Sequence, residues 1–201
     1  MEFNELTNVL EKLGYNAKYF ETGNDAKKYV LSSIESGSII GMGGSVTVNS
    51  LGIPQELEKN SCEIYSHRFR PDDDPHKTRM QAINSDYFLC STNAITKDGV
   101  LVNIDGVCNR LAAMCYGPKH IIYIVGKNKF TEDIPSAIKR IKEQACPKNA
   151  RRLNLSTPCG ITGKCHDCNS PQRMCRNTLI TEHSPRTADA TIILVGEDLG
   201  Y

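Results

Sequence analysis

Short apolar runs alternate with amphipathic segments along most of the chain, and this alternation most restricts the possible folds. The runs SIIGM, YFLCS, HIIYIV and TIILV are almost entirely apolar, as expected for strands that are buried on both faces. Amphipathic stretches between them predict helices, several with a capping residue or a proline in the first turn. The pattern predicts an α/β fold with a mostly parallel sheet and helices on both faces.

The boundaries of these elements can be estimated from the same pattern. The predicted strands are 16–20, 38–42, 62–66, 87–91, 94–96, 100–104, 120–125 and 191–195. The predicted helices are 3–13, 24–34, 54–59, 74–84, 109–116 and 134–146. Lys97-Asp98-Gly99 is a hairpin turn and adds an antiparallel element. We expect a single domain over 1–201, in which a cysteine-rich insertion at 147–178 precedes the last strand.

Four cysteines in this insertion lie within seventeen residues, in the order C-x5-C-x2-C-x6-C. They are Cys159, Cys165, Cys168 and Cys175. Within these seventeen residues only Ile161 and Met174 add other apolar side chains, so burial alone cannot order this stretch. A disulfide framework, a zinc ion or an iron–sulfur cluster would each order this stretch.

Disulfides are the least favoured of these three. The N-terminal stretch is polar and has the spacing of an amphipathic helix, without the apolar core of a secretory signal. We therefore expect a cytoplasmic protein, in which clustered cysteines more often bind metal. The odd number of cysteines, nine, also argues against full oxidative pairing.

A 4Fe–4S cluster is favoured over zinc, which stays open as the alternative. Structural zinc sites usually combine two short cysteine pairs, and only Cys165 and Cys168 form one here. Iron–sulfur clusters accept less regular spacings. Six Lys and Arg residues between 148 and 176, against the single acid Asp167, would stabilise a dianionic centre, although this applies to both metals.

Overall charge and composition exclude two classes of partner. The net charge is +1 and there is no Trp, so neither a nucleic-acid surface nor a stacking platform is indicated. No run approaches the roughly 18 apolar residues of a membrane span. We expect neither nucleic acid nor membrane as a partner.

A glycine-rich loop follows the strand at 38–42 and opens a helix. Its glycines permit close approach of a ligand, its free N–H groups attract an anion, and its hydroxyls add donors. The spacing matches neither G-x-G-x-x-G nor a P-loop, and a tight turn without a ligand stays the alternative. The candidate binding residues are Gly41, Gly43, Gly44, Ser45 and Thr47.

Further polar residues are expected at the same edge of the sheet, because ligands bind beyond the carboxyl ends of parallel strands. Arg110 would grip a carboxylate or phosphate in bidentate fashion. The alternative for Asp105 is a structural role in a turn or helix cap, and no catalytic mechanism is assigned to it. The candidates are Asn93, Asn103, Asp105, Asn109 and Arg110, facing a small anionic substrate (a carboxylate, a phosphate or a CoA-like group).

The segments GMGGSVT, STNAITKDGVLVNIDG, NRLAAMCYGPKHIIYIVGKNK and VGEDLGY resemble the lactate-utilisation (LUD) domain family, specifically LutC/YkgG-like proteins. The resemblance covers roughly residues 6–201. It implies a Rossmann-like fold similar to ribose-5-phosphate isomerase and CoA transferases, in which the glycine loop contacts a phosphate-bearing or CoA-like ligand. It also implies a link to oxidation of L-lactate to pyruvate alongside iron–sulfur partner proteins.

The sequence departs from simpler family members in its four-cysteine insert and in Cys108, where glycine is expected. The insert predicts an iron–sulfur protein with a redox or electron-transfer role in the metabolism of lactate or a related small hydroxy or oxo acid, with a redox protein as partner. A non-redox ligand-binding or isomerase-like enzyme with a structural metal is the alternative. A regulatory partner with a metal-sensing loop is a third interpretation.

Overall fold

The predicted strands and helices form an α/β fold with small shifts of their ends. The computed structural model describes residues 2–67, 69 and 71–201. The strands are β1 (Asn16–Phe20), β2 (Ile39–Met42), β3 (Glu63–Tyr65), β4 (Tyr87–Cys90), β5 (Ala94–Thr96), β6 (Leu101–Asp105), β7 (His120–Gly126), β8 (Phe130–Thr131), β9 (Asn177–Thr181) and β10 (Asp189–Val195). The helices are α1 (Leu6–Lys12), α2 (Gly23–Ser33), α3 (Val46–Ser50), α4 (Ile53–Lys59), α5 (Pro75–Ile83), α6 (Asn109–Cys115), α7 (Ile134–Arg140), α8 (Cys146–Arg152) and α9 (Pro158–Thr162).

Six strands form a parallel sheet in the order β1-β10-β7-β4-β2-β3. Successive residues of β7 point to opposite faces: Ile121 and Tyr123 pack with α1, α5 and α6, whereas Ile122 and Ile124 pack with α2, α3 and α4. Both faces are therefore buried, which explains why these strands are apolar throughout. The prediction of a mostly parallel sheet with helices on both faces is confirmed.

A smaller mixed sheet, β8-β5-β6-β9, lies beside the first. The hairpin predicted at Lys97-Asp98-Gly99 joins β5 and β6, which pair antiparallel. The strand β9, which was not predicted, pairs antiparallel with β6 and places Asn177 opposite Asp105. Through this pairing the cysteine-rich insertion is joined directly to the α/β body.

The helix predicted over 134–146 does not end there. It widens into a π-helical turn over Ile141–Ala145 and continues as α8 to Arg152. Pro147 follows in the first turn of α8. Proline has no backbone N–H for the regular hydrogen bond, and a local change of helical period accommodates it without ending the helix.

Gly41 in β2 allows α5 to lie directly against the sheet. A Cβ at this position would lie 2.1 Å from the carbonyl oxygen of Ala82 and 2.6 Å from the hydroxyl of Ser85. The glycine is thus required for packing.

In the part of the chain that the structure describes, none of the helices has the length and apolar character needed to cross a membrane.

We expect Gly41→Ala to lower the free energy of unfolding by about 1–3 kcal/mol or more, because the backbone of α5 must move to admit the methyl group. The matched control is Gly43→Ala, whose Cβ would meet Arg110 at an ordinary 3.4 Å. That variant should change stability by less than about 1 kcal/mol. Urea unfolding of both variants measures the difference, and equal stabilities would contradict the packing role of Gly41.

Candidate functional site

A cavity of about 300 Å³ lies where the carboxyl ends of β2 and β4 meet the second sheet. Most of the predicted binding residues line it: Gly43, Gly44, Ser45, Thr47, Asn93, Asp105, Asn109 and Arg110. Gly41 and Asn103 are not among the lining residues. Gly41 packs against α5, and Asn103 is buried behind the cavity with 1% exposure. The role of the lining residues in substrate binding stays a prediction.

The glycine loop leads directly from β2 into α3. Ser45 is the N-cap of α3, and its hydroxyl accepts a hydrogen bond from the backbone N–H of Val48 at 3.3 Å. The side chain of Ser45 is therefore already used locally. Thr47 lies one turn further, is 1% exposed, and donates to the carbonyl of Leu199 at 3.3 Å.

The guanidinium of Arg110 is engaged within the protein. Its five N–H groups have five acceptors: Asp105 Oδ2 at 3.3 Å, Ser91 O at 3.3 Å, Asn103 Oδ1 at 2.7 Å, Asn93 Oδ1 at 2.9 Å and Ile104 O at 2.9 Å. No N–H group is left for the bidentate grip that the sequence predicted. Arg110 contributes its charge to the cavity and holds the cavity lining in place.

Two asparagines cross-link β6 to the segment after β4. Asn93 Oδ1 accepts from the N–H of Ile104 at 2.9 Å, and Asn103 Oδ1 accepts from the N–H of Asn93 at 3.0 Å. Asp105 accepts from the N–H groups of Gly106 and Val107, as expected for a turn. These contacts fit a positioning role for the polar residues after β4 and β6.

The backbone conformation at Cys108 explains why the family resemblance leads one to expect glycine at this position. Its φ is +68°, in the left-handed region that favours glycine, and it immediately precedes α6. Asn109 and Arg110 follow as the first residues of α6, and both line the cavity.

Lys129 is the functional candidate that sequence reasoning missed. It lines the cavity yet is only 2% exposed, and its amine donates to Thr47 Oγ1 at 2.8 Å and Ser91 Oγ at 2.6 Å. Burial, together with the charges of Arg140 and Arg110, lowers its pKa to about 7. A lysine with such a pKa can exchange a proton, or act as a nucleophile, near neutral pH.

Two arginines add buried donors to the cavity. Arg79 Nε, on α5, and Arg152 Nη1, on α8, are buried and have no hydrogen-bond partner among the described residues. The remaining guanidinium contacts of Arg152 are with Asn149 Oδ1. Asp105 is the only Asp or Glu side chain among the described lining residues. The cavity therefore has a cationic lining.

The cysteine-rich insertion contributes part of this lining. Cys146 and Met174 border the cavity, and the N–H of Arg176 donates to the carbonyl of Asp105 at 3.0 Å. The interaction with the Cys146 thiol lowers the pKa of Cys175, and the same interaction, together with burial, raises the pKa of Cys146. Cys146 thus joins the cavity to the predicted cysteine quartet.

The cysteine quartet receives hydrogen bonds from neighbouring residues of the insertion. All nine cysteines are free thiols. Arg173 donates to the carbonyls of Cys168 at 2.6 Å and Cys175 at 3.0 Å, and the N–H of Asp167 donates to Cys165 Sγ at 3.5 Å. Among the residues that the structure describes, no three His, Cys, Asp or Glu side chains form a group suited to a metal ion. The arrangement therefore does not fit a preformed metal centre.

The low pKa of Lys129 predicts a pH-dependent stability. The unfolded chain keeps the ordinary value of 10.5 and binds more protons than the folded chain between about pH 7 and that value. The free energy of unfolding should therefore rise with pH in this window, by up to about 1.4 kcal/mol per pH unit. Urea unfolding should show that the free energy of unfolding of the wild type rises relative to that of Lys129→Met above about pH 7, and that the difference is constant below it. A difference that is independent of pH would contradict this.

Comparison with known proteins agrees with this architecture. The LUD domain family matches residues 3–195. The crystal structure of a DUF162 family protein from Deinococcus radiodurans has a TM-score of 0.53 and 12% sequence identity, covering 97% of this chain and 99% of that chain. No curated protein matches significantly. Since the family match spans nearly the whole sequence, the chain belongs to the LUD domain family.

Proposed function

We propose that the cavity binds a small hydroxy or oxo acid through its carboxylate. Membership of the LUD domain family supports a role related to lactate utilisation. The observation that carries the proposal is the pair of buried, unpartnered donors, Arg79 Nε and Arg152 Nη1. A buried donor without an acceptor costs about 1–3 kcal/mol, and a carboxylate would supply the missing acceptors.

The volume of the cavity limits the size of the ligand that it can enclose. A volume of about 300 Å³ is at the lower end of small-molecule sites. Such a volume suits a three- or four-carbon acid, whereas a complete CoA-like ligand would extend outside it. The cations also suit a phosphate, so the carboxylate preference rests on the family.

We further propose a metal centre on Cys159, Cys165, Cys168 and Cys175, a 4Fe–4S cluster in preference to zinc. Support comes from the spacing of the four thiols and from the cations around them, including Arg173. Binding would have to draw the four thiolates together, since no ligand set is gathered among the described residues. We therefore derive no reaction step through the metal. A redox protein as partner belongs to the same proposal.

A non-redox enzyme is the second candidate, and Lys129 favours it. A buried amine with a pKa of about 7 serves proton transfer or covalent catalysis, neither of which needs a metal. In this case the insertion would stabilise one side of the cavity through β9 and α8.

The carboxylate site can be tested by titrating the protein with pyruvate, L-lactate and the neutral analogue lactamide. We expect Arg152→Gln to weaken binding of both acids by about 10- to 100-fold, because it removes a charged donor. Arg151→Gln is the matched control: Arg151 is the preceding residue, is exposed, and donates to the carbonyl of Gly160.

Isothermal titration calorimetry distinguishes the outcomes. Unchanged affinity in Arg152→Gln, or lactamide that binds as tightly as L-lactate, would contradict a carboxylate site.

The metal centre can be tested on protein purified without oxygen. We expect about four iron and four sulfide per chain, lost in Cys165→Ser and retained in Cys115→Ala, whose cysteine lies on α6 outside the insertion. One zinc per chain would favour the alternative metal. Wild-type protein that binds neither metal would refute the proposal.

A further inference from the structure

The Lys129 amine is held between two hydroxyl groups at the cavity. Nζ donates to Thr47 Oγ1 at 2.8 Å and to Ser91 Oγ at 2.6 Å. Each hydroxyl in turn donates its own proton to a main-chain carbonyl, Thr47 to Leu199 and Ser91 to Ile124. Because both hydroxyl protons are committed, both hydroxyl oxygens require a donor, and Lys129 supplies it.

Counting donors indicates which form of the amine fits this setting. A neutral amine has two N–H groups, which the two hydroxyls use completely, and one lone pair. An ammonium group has a third N–H, for which the described residues offer no acceptor. The remaining tetrahedral direction at Nζ is left for the cavity that Lys129 lines. The neutral form would thus direct its lone pair toward the cavity.

The charged neighbours of Lys129 also favour the neutral form of its amine. Arg110 and Arg140 flank it, and Arg140 is itself held by the carbonyls of Asn128 at 2.8 Å and Asn93 at 2.7 Å. Both guanidinium groups stay charged at all accessible pH values, so the lysine is the group that can lose its proton.

We propose that Lys129 is a catalytic residue that forms a Schiff base with a small 2-oxo acid, an inference that rests on the proposed acid-binding function. The Nζ lone pair forms a bond to the carbonyl carbon while the C=O π electrons move to oxygen, which gives a carbinolamine after proton transfer. With one proton from solvent, the C–O bond then breaks and water leaves, so that a protonated imine remains. No oxidant or reductant is required.

The carboxylate of the same acid would face Arg79 and Arg152, whose buried donors lack partners among the described residues. The protonated imine withdraws electrons from the adjacent carbon, so a C–H bond there becomes acidic. The chemistry predicted for this site is therefore proton removal next to a carbonyl, with pyruvate as the simplest probe.

The experiment is reductive trapping on the full chain. Pyruvate and borohydride are added to the protein, and the modified residue is located by peptide mass mapping. We expect a single reduced pyruvyl adduct on Lys129, absent in Lys129→Met. The matched control is Lys127→Met: Lys127 is exposed, belongs to the same short 3-10 turn and does not line the cavity, so its replacement should leave the adduct unchanged.

A second readout is exchange of the pyruvate methyl protons in deuterated water, followed by NMR. Exchange should fall about 100-fold or more in Lys129→Met and stay at the wild-type rate in Lys127→Met. Mapping on the wild-type protein does not depend on how well any variant folds.

Binding measured in parallel separates the two proposals. Pyruvate that binds the wild type without an adduct on Lys129 overturns the Schiff base and leaves the acid-binding function standing. Pyruvate that does not bind overturns both. Methyl-proton exchange that depends on Lys129 without any trapped adduct makes the lysine a base and also overturns the Schiff base.

Discussion

The hydrogen bonds of Arg110 join the two sheets, and the cavity depends on them. The guanidinium extends from α6 to the segment after β4 and to the end of β6, so one side chain connects three elements. Without Arg110 these acceptors would lose a charged donor, and Asn103 Oδ1 would keep only the N–H of Asn93 among the described donors. The polar residues after β4 and β6 are thus ordered before any ligand arrives, which is the requirement for a preorganised site.

The same network sets the electrostatics of the cavity. Arg110 is balanced by Asp105, whereas Arg140 is held by neutral carbonyls and Lys129 by neutral hydroxyls. Of these three buried cations, only Arg110 has an ion pair with an Asp or Glu side chain among the described residues. A guanidinium cannot release its proton, so the desolvation cost is relieved at the lysine, and a bound anion would relieve it as well. Anion binding and the protonation of Lys129 are therefore linked.

Hydrophobic pattern predicts most of this fold, because strands buried on both faces read as continuous apolar runs. It fails for β9, an edge strand with the pattern NTLIT, in which Ile180 is 42% exposed, so that burial leaves little trace in the sequence. It fails in a different way for Lys129. The sequence Gly-Lys-Asn-Lys resembles an ordinary surface turn, in which Lys129 would be exposed. Only the tertiary fold places Thr47 and Ser91 around the amine of Lys129.

The sequence predicts polar residues at the carboxyl ends of the strands, but it does not assign their hydrogen-bond partners. Asn103 and Arg110 have the chemistry of ligand-binding groups, and in the fold they bind each other at 2.7 Å. Whether a polar side chain faces a ligand or a neighbouring strand depends on the pairing of β6 with elements distant in sequence. The signal available for Lys129 was its position shortly after the predicted strand 120–125, at the edge of the sheet where ligands bind.

The cysteine-rich insertion and the cavity cannot rearrange independently. Arg152 belongs to α8, the helix that begins at Cys146, and the thiol of Cys146 interacts with that of Cys175. Gathering the thiolates around a metal would change this interaction, because a cysteine binds metal in its deprotonated form. Any resulting movement of α8 would carry Arg152 with it, whereas Lys129 is held by Thr47 and Ser91, which belong to other elements. The state of the insertion would therefore alter the grip on a carboxylate without displacing the amine.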